Sequence, residues 1–276
     1  MLIAYDGTEF HGWQKQPEMR TVEGVVEQAV RRVVRHQASL NGSGRTDSGV
    51  HARGQVANFL SESHIPCSNL CKAIGSRLPK DVSLIRVGEA ALDFRSSRDA
   101  SSKLYRYTIY NDSHRPVERH LQRYAYHYWH PLDVERMRAA AMHLVGEHDF
   151  AALATKGSPR ETTVRTVFRL DVQSFFNEIR IDVEGSGFLY NMVRNIAGTL
   201  IEVGRGHWSP ERMPEILASG DRSQAGPTAP ARGLCLQWVK YPPDKFNREM
   251  ADLCRPEHAA MSAQAESNDE DEGLPA

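Results

Sequence analysis

Two hydrophobic periodicities alternate along this 276-residue chain, and the alternation limits what it can fold into. Residues 21–36 carry Val22, Val25, Val26, Ala29, Val30, Val33 and Val34 at helical spacing, with Glu23, Glu27, Arg31, Arg32 and Arg35 opposite. So many valines oppose local helix propensity, so tertiary packing has to hold this helix. Residues 103–110 instead alternate long apolar or aromatic side chains with polar ones, the two-residue period of a strand. Shorter strands are predicted over 2–5, 55–60, 82–87 and 233–240, and a hairpin over 163–172 and 178–184 around Asn177. Further helices are predicted over 68–77, ending before Pro79, and over 131–145, with Asp133 as N-cap and Val134, Met137, Ala141 and Leu144 on one face. A long amphipathic helix is predicted over 188–203, and a short one opens at Ser209-Pro210-Glu211, with Ser as N-cap and Pro in the first position. Both halves mix strands, helices and hairpins, which points to an α+β fold with mixed, largely antiparallel sheets. The expected units are 1–110 and 111–245, with similar element order, followed by an extension over 246–276. From about residue 261 that extension is polar, acidic and aperiodic, and is expected to be disordered.

Charge at first argues against nucleic acid, because 34 basic and 35 acidic residues leave a formal charge of −1. Five of those acids, Glu266, Asp269, Glu270, Asp271 and Glu272, lie in the last eleven residues, so in residues 1–265 basic residues exceed acids by four. The basic set is 27 Arg to 7 Lys, and Arg is suited to bidentate phosphate contact and base stacking. No apolar run reaches 18 residues, so no transmembrane helix is expected, and the opening residues lack the charged start of a signal peptide. A cytoplasmic location is expected, with import of a longer precursor left open. Cys67, Cys71, Cys235 and Cys254 lack zinc-site spacing and are expected to be reduced thiols.

The densest chemistry lies in residues 42–54, where four glycines accompany Asp47, Arg45, Arg53 and His51. So many glycines imply a tight loop or a close backbone approach. On residue types alone this is either a structural turn, with Asp47 capping amides and paired to Arg45, or a site built around one carboxylate. A phosphate-binding loop would need a following Gly-Lys-Ser/Thr and helix, and a metal site would need further ligands beside Asp47 and His51.

Gly44-Arg45-Thr46-Asp47-Ser48-Gly49-Val50-His51-Ala52 resembles the signature loop of the TruA family of tRNA pseudouridine synthases. The resemblance runs in order through Tyr5-Asp6-Gly7-Thr8-Glu9-Phe10-His11-Gly12-Trp13-Gln14, Arg20-Thr21-Val22-Glu23-Gly24 and Tyr105-Arg106-Tyr107. It continues through Gly146-Glu147-His148-Asp149-Phe150, residues 188–198 and Ala229-Pro230-Ala231-Arg232-Gly233-Leu234. The Asp47 loop is highly specific, whereas the 146–150 motif alone is modest. The resemblance implies conversion of uridine to pseudouridine in the anticodon stem-loop of tRNA, at tRNA positions 38–40, without metal or organic cofactor. It also implies two similar α+β domains sharing a continuous mixed sheet, a basic cleft and a homodimer.

By the same resemblance Asp47 is the essential carboxylate. It suits a reaction that breaks the bond from ribose C1′ to base N1 and joins C1′ to C5, because a carboxylate can attack carbon, stabilise an oxocarbenium or take a proton. Attack at base C6, attack at C1′ and proton removal at C2′ all stay open. Arg194 occupies the position of the family's basic partner to that carboxylate, and serves equally well as a fold-holding ion pair. Tyr105 matches the active-site tyrosine, which can stack on uracil and help remove the C5 proton. Arg45 is expected to enter the stem as the uridine is extruded, the alternative being an ion pair with Asp47. His51, Arg53 and Gln55 are candidate cleft residues, and Phe188, Leu189 and Met192 are expected to wall the base. His11 and Trp13 fit a structural role as well as an RNA-facing one. The chain departs from the family where Ser97, followed by Arg98, stands at a usual arginine position, and where Ser48 replaces a usual alanine.

Overall fold

The strand that completes the sheet comes last among the described elements and sits in its middle. The computed structural model describes residues 1–155, 162–242 and 245. Its strands are β1 (Leu2–Tyr5), β2 (Asn41–Gly42), β3 (His51–Asn58), β4 (Val82–Arg86), β5 (Ser102–Asn111), β6 (Tyr126–Tyr128), β7 (Gly146–Asp149), β8 (Val164–Phe175), β9 (Glu178–Gly185) and β10 (Leu234–Lys240). Eight of them run in the order β4-β1-β3-β10-β5-β9-β8-β7, with β2 added beside β3 and β6 beside β5. The pairs β10–β3 and β5–β6 are parallel and the others antiparallel. The fold is therefore α+β, with one continuous, open, mostly antiparallel sheet.

The helices are α1 (Val22–Val34), α2 (Cys67–Gly75), α3 (Arg119–Tyr124), α4 (Val134–Met142), α5 (Met192–Gly204) and α6 (Arg212–Ser219). Thr21 caps α1 by accepting from the Gly24 N–H, and Arg35 ends it in the left-handed region. Val22, Val26, Ala29, Val30 and Val34 are buried, as the periodicity predicts. Glu27 breaks the pattern. Placed on the outer face by spacing, it is 6% exposed, and Lys15 at 2.7 Å and Arg31 at 2.9 Å neutralise its carboxylate. Asp133 caps α4 as predicted, by accepting from the Arg136 N–H.

Three predicted boundaries move. The strand predicted from residue 55 begins at His51, so the end of the glycine-rich segment is itself strand. The helix predicted from residue 188 begins at Met192, because Asn191 is left-handed at φ 59 and interrupts it. Ser209 does not cap α6. The Arg212 and Met213 N–H groups bond back three residues to the Ser209 and Pro210 carbonyls, a tight turn ahead of the helix. The predicted extension over 246–276, with its acidic stretch, lies outside the described residues. Among the described residues no helix is long and apolar enough to cross a membrane.

Two irregularities shape the centre of the sheet. The β1–β3 register slips between Ile3 and Tyr5, and the β10–β5 register slips between Leu236 and Trp238. Both lie where β3 and β10 run closest: a side chain at Gly54 would stand 2.4 Å from the Gln237 carbonyl oxygen. A bulge reverses which face later side chains take. Gln55, two positions after exposed Arg53 on β3, is consequently fully buried.

Candidate active site

Residues 43–50 link β2 to β3, and the segment after β1 braces them. The Trp13 N–H donates to the Thr46 carbonyl at 3.0 Å, and the Gly49 N–H donates to the Phe10 carbonyl at 3.3 Å. The Tyr5 and Thr46 hydroxyls are hydrogen-bonded at 2.8 Å, and the Ser48 hydroxyl donates to the Phe10 carbonyl at 3.2 Å. Two glycines allow this approach. A Cβ at Gly7 would fall 2.0 Å from the Val50 oxygen, and one at Gly12 would fall 2.6 Å from the Thr46 oxygen. From the sheet side, the Ser43 hydroxyl donates to Gln55 at 2.5 Å, the Gln55 amide donates to the Gly44 carbonyl at 2.9 Å, and the Lys103 ammonium donates to the Ser43 carbonyl at 2.5 Å. The loop is thus held on both sides by buried polar contacts.

Asp47 sits in that braced loop with its side chain 26% exposed. Its Oδ2 lies 3.6 Å from Arg194 Nη1. Arg194 comes from the first turn of α5, and its guanidinium is held elsewhere as well: Nε donates to the Ala229 carbonyl at 2.7 Å and Nη1 to Asn191 Oδ1 at 2.9 Å. The left-handed Asn191 that delays the start of the predicted helix is what brings its carboxamide there. Burial pushes the Asp47 carboxyl above the usual carboxylate range, and the Arg194 charge and hydrogen bond oppose that push without cancelling it. Ionised Asp47 is therefore a high-energy anion, a better base and nucleophile than a solvated one.

Tyr105 lies on β5, 7% exposed, with Phe188 edge-on at 5.2 Å between ring centroids and 87° between planes. Burial raises its phenol, and the Asp47 charge raises it further. That coupling places Tyr105 and Asp47 within reach of one another's field, and the phenol remains protonated at neutral pH. Tyr107, on the same face two residues on, donates to the Pro230 carbonyl at 2.9 Å.

The other predicted residues divide in two. Arg45 and Arg53 are exposed. Arg45 forms no ion pair or hydrogen bond with the described residues, so the alternative Arg45–Asp47 pair is not made; Asp47 pairs with Arg194 instead. His51, Gln55, Leu189 and Met192 are buried. His51 Nδ1 accepts from the Gly7 N–H at 3.0 Å and stands 3.2 Å from Asp6 Oδ1, and burial holds its basicity below normal. Leu189 and Met192 belong to the core beneath Phe188, which is half-buried. Trp13 is 2% exposed and packs under Gly42, while His11 is exposed. At the departure from the family pattern, the Ser96 hydroxyl donates to the Asn41 carbonyl, and Arg98 pairs with Asp99 at 3.2 Å.

Residue-type reasoning did not single out Lys103, Asn191 or the Ala229 carbonyl. Lys103 carried a signal, a lone ammonium on a strand of aromatic and aliphatic residues. Asn191 lay inside the 188–198 motif without a role assigned to it, and the Ala229 carbonyl had no signal, since a backbone carbonyl has no side-chain identity. No group of three or more His, Cys, Asp or Glu side chains able to hold a metal occurs among the described residues.

Comparison with known proteins bears directly on this site. A family pattern described as "tRNA pseudouridine synthase" matches residues 1–120 and 140–242. The chain is 45% identical over 242 residues to "tRNA pseudouridine synthase A 2" of Clostridium perfringens, covering 87% of this chain and 98% of that protein. It is 45% identical over 241 residues to "tRNA pseudouridine synthase A" of Geotalea uraniireducens and 46% identical over 240 residues to that of Brevibacillus brevis, with the same coverage in each case.

Proposed function

The chain belongs to the TruA family of tRNA pseudouridine synthases, enzymes that isomerise uridine in tRNA, and from that premise we propose that Asp47 is its essential catalytic carboxylate. One observation carries the assignment: a largely covered carboxylate held 3.6 Å from a pinned arginine, with its charge felt by a buried tyrosine. The net reaction breaks C1′–N1, forms C1′–C5, removes the C5 proton and returns a proton to N1, so it needs neither oxidant nor reductant. Attack at C6, attack at C1′ and proton removal at C2′ all begin from ionised Asp47. Arg194 keeps enough of it ionised at neutral pH. Tyr105 offers its ring to the uracil and Phe188 closes the pocket edge. Because its phenol stays protonated, Tyr105 takes the C5 proton only while passing its own to an acceptor.

The proposed substrate is the anticodon stem-loop at tRNA positions 38–40, bound by a homodimer in the cytoplasm, with 1–110 and 111–245 as the two units flanking a basic cleft. Exposed Arg45, with no partner among the described residues, is suited to fill the stem as the uridine leaves it, and Arg53 is suited to phosphate. A position-resolved pseudouridine map of unmodified tRNA incubated with the protein tests this reading. New pseudouridine in the anticodon stem-loop is expected; none, or modification confined to another arm, overturns it.

Two further results are expected. Arg45→Ala and Arg53→Ala should each weaken tRNA binding, and where the arginine meets phosphate the variant should flatten the dependence on log salt by roughly 0.7–0.9 for each phosphate no longer neutralised. An unchanged slope would place that arginine away from the backbone. In single-turnover assays, the acid limb of the rate should lie above the range of an ordinary aspartate, because burial outweighs Arg194 at Asp47. A limb at the usual position would contradict that balance.

A further inference from the structure

From the hydrogen bonds beneath α5 we infer that Asn195 and Thr228 are positioning residues for the reaction, which set the Arg194 guanidinium on Asp47 by fixing residues 225–230 against the helix. The inference rests on the proposed Asp47–Arg194 pair.

Asn195 is fully buried on a helix whose other buried neighbours include Ile196, Ala197 and Leu200. A carboxamide in that setting is costly unless its polar atoms are met. Here they are met by a network. Its Nδ2 donates to the Leu153 carbonyl at 3.0 Å. Its Oδ1 accepts from the Thr228 hydroxyl at 2.7 Å and from Arg222 Nη2 at 3.0 Å. Arg222 Nη2 also donates to Thr228 Oγ1 at 3.0 Å, closing a three-membered ring of contacts.

The network has a direction. Residues 225–230 are laid along α5 and stitched to it in series. The Gly226 N–H donates to the Thr199 hydroxyl at 3.0 Å, and that hydroxyl donates to the Asn195 carbonyl at 2.7 Å. The Pro227 carbonyl sits on Gly198, where a Cβ would be 1.7 Å from its oxygen. Thr228 is tied to Asn195. The next residue, Ala229, donates its N–H to the Arg194 carbonyl at 3.2 Å and accepts from Arg194 Nε at 2.7 Å. Pro230 is then fastened to Tyr107 on β5, two residues from Tyr105. The Ala229 carbonyl that aims the arginine is therefore placed by the residue before it, and that residue by Asn195. Loosening Thr228 leaves Arg194 present and charged but no longer aimed. A misplacement on the order of 1 Å in such a site is worth up to ~100-fold in rate.

Thr228→Val removes the hydroxyl while keeping the side-chain volume, Thr228→Ser keeps the hydroxyl, and Asn195→Ala removes the hub. Each is assayed over a range of pH in single turnovers on unmodified tRNA transcript, beside Arg194→Gln. Thr228→Val is expected to lower the plateau rate about 10-fold and to move the acid limb upward, because a displaced guanidinium no longer opposes the burial of Asp47. Binding of tRNA should stay within about twofold, and Thr228→Ser should restore both rate and limb. If Arg194→Gln moves the limb while Thr228→Val and Asn195→Ala do not, the positioning role is overturned and the Asp47–Arg194 reading stands. If Arg194→Gln itself leaves the limb in place, that reading fails and takes this inference with it. A rate loss that only follows the folded fraction in urea, with the limb unmoved, also overturns the positioning role.

Discussion

Asp47→Asn, mixed with unmodified tRNA, is expected to form no pseudouridine while still binding the RNA. The carboxamide keeps the shape of the side chain but cannot attack carbon, hold a cation by charge or take a proton at neutral pH. Loss on the order of 10⁴-fold or more is the scale seen when a nucleophile is removed from an otherwise intact site. Full activity in Asp47→Ala would remove Asp47 from the chemistry altogether. The same variant carries a stability signature of defined sign. The folded-state pKa of Asp47 lies above its unfolded value because burial outweighs Arg194. A group raised in this way favours the fold below the unfolded pKa, and that contribution is lost as pH rises through the folded pKa. At neutral pH the ionised side chain is thus a net burden on the fold. Asp47→Asn should melt at a higher temperature than the parent at pH 7, and the gain should vanish below the ordinary aspartate pKa, where both side chains are neutral. A lower melting temperature at pH 7 would mean that the Arg194 pair stabilises more than burial costs.

The second large effect is expected at a residue without a side chain. Gly12→Ala places a Cβ 2.6 Å from the Thr46 oxygen and 3.2 Å from the Asp47 carbonyl carbon, on a backbone at φ +85. Neither problem has a side-chain remedy, because the opposing atoms are backbone. Left-handed strain and the clash together should cost about 2–4 kcal/mol. That corresponds to a midpoint lowered by roughly 4–16 °C and a smaller urea midpoint at unchanged m-value. Activity should fall further than the folded fraction does, since the peptide that must move carries Asp47. Gly75→Ala is the matched control: nothing lies within 4 Å of its Cβ position, and φ there is not positive. It should be neutral or slightly stabilising. Equal behaviour of the two variants would show that the 6–13 segment does not brace the loop.

These two residues mark where residue types sufficed and where they did not. Periodicity disclosed α1, α4, β5 and the β8–β9 hairpin because each buries one face in a long regular run. It failed at Glu27, where two cations supply what spacing alone says is missing. Gln55, expected in a cleft, is instead buried, because a single extra residue in β3 turns the side chain inward. Periodicity failed at the start of α5, where left-handed Asn191 bonds Thr155, 36 residues away in sequence, as well as Arg194 nearby. The candidates Asp47, Tyr105 and Arg194 came from their motifs. The scaffolding that aims them was not legible, because much of it is backbone: the Thr46, Phe10, Ser43 and Ala229 carbonyls carry no letter of their own. Gly12, against the Thr46 oxygen, and Gly7, against the Val50 oxygen, are imprints of this backbone, as places where a side chain would not fit.

The central position of β10 has a consequence for how the enzyme comes into being during synthesis. Asp47 enters from the β3 side of the sheet, and Tyr105 stands on β5. The seam between those strands is filled by Leu234–Lys240, with Cys235 paired to both His51 and Arg106. Until that segment leaves the ribosome, β3 and β5 each present an open edge, and the contacts that close the seam are among the longest in sequence that the chain makes. Both motif-bearing strands are therefore translated well before they can become neighbours. The growing chain holds Asp47, Tyr105 and Arg194 yet has no assembled site until β10 enters between β3 and β5.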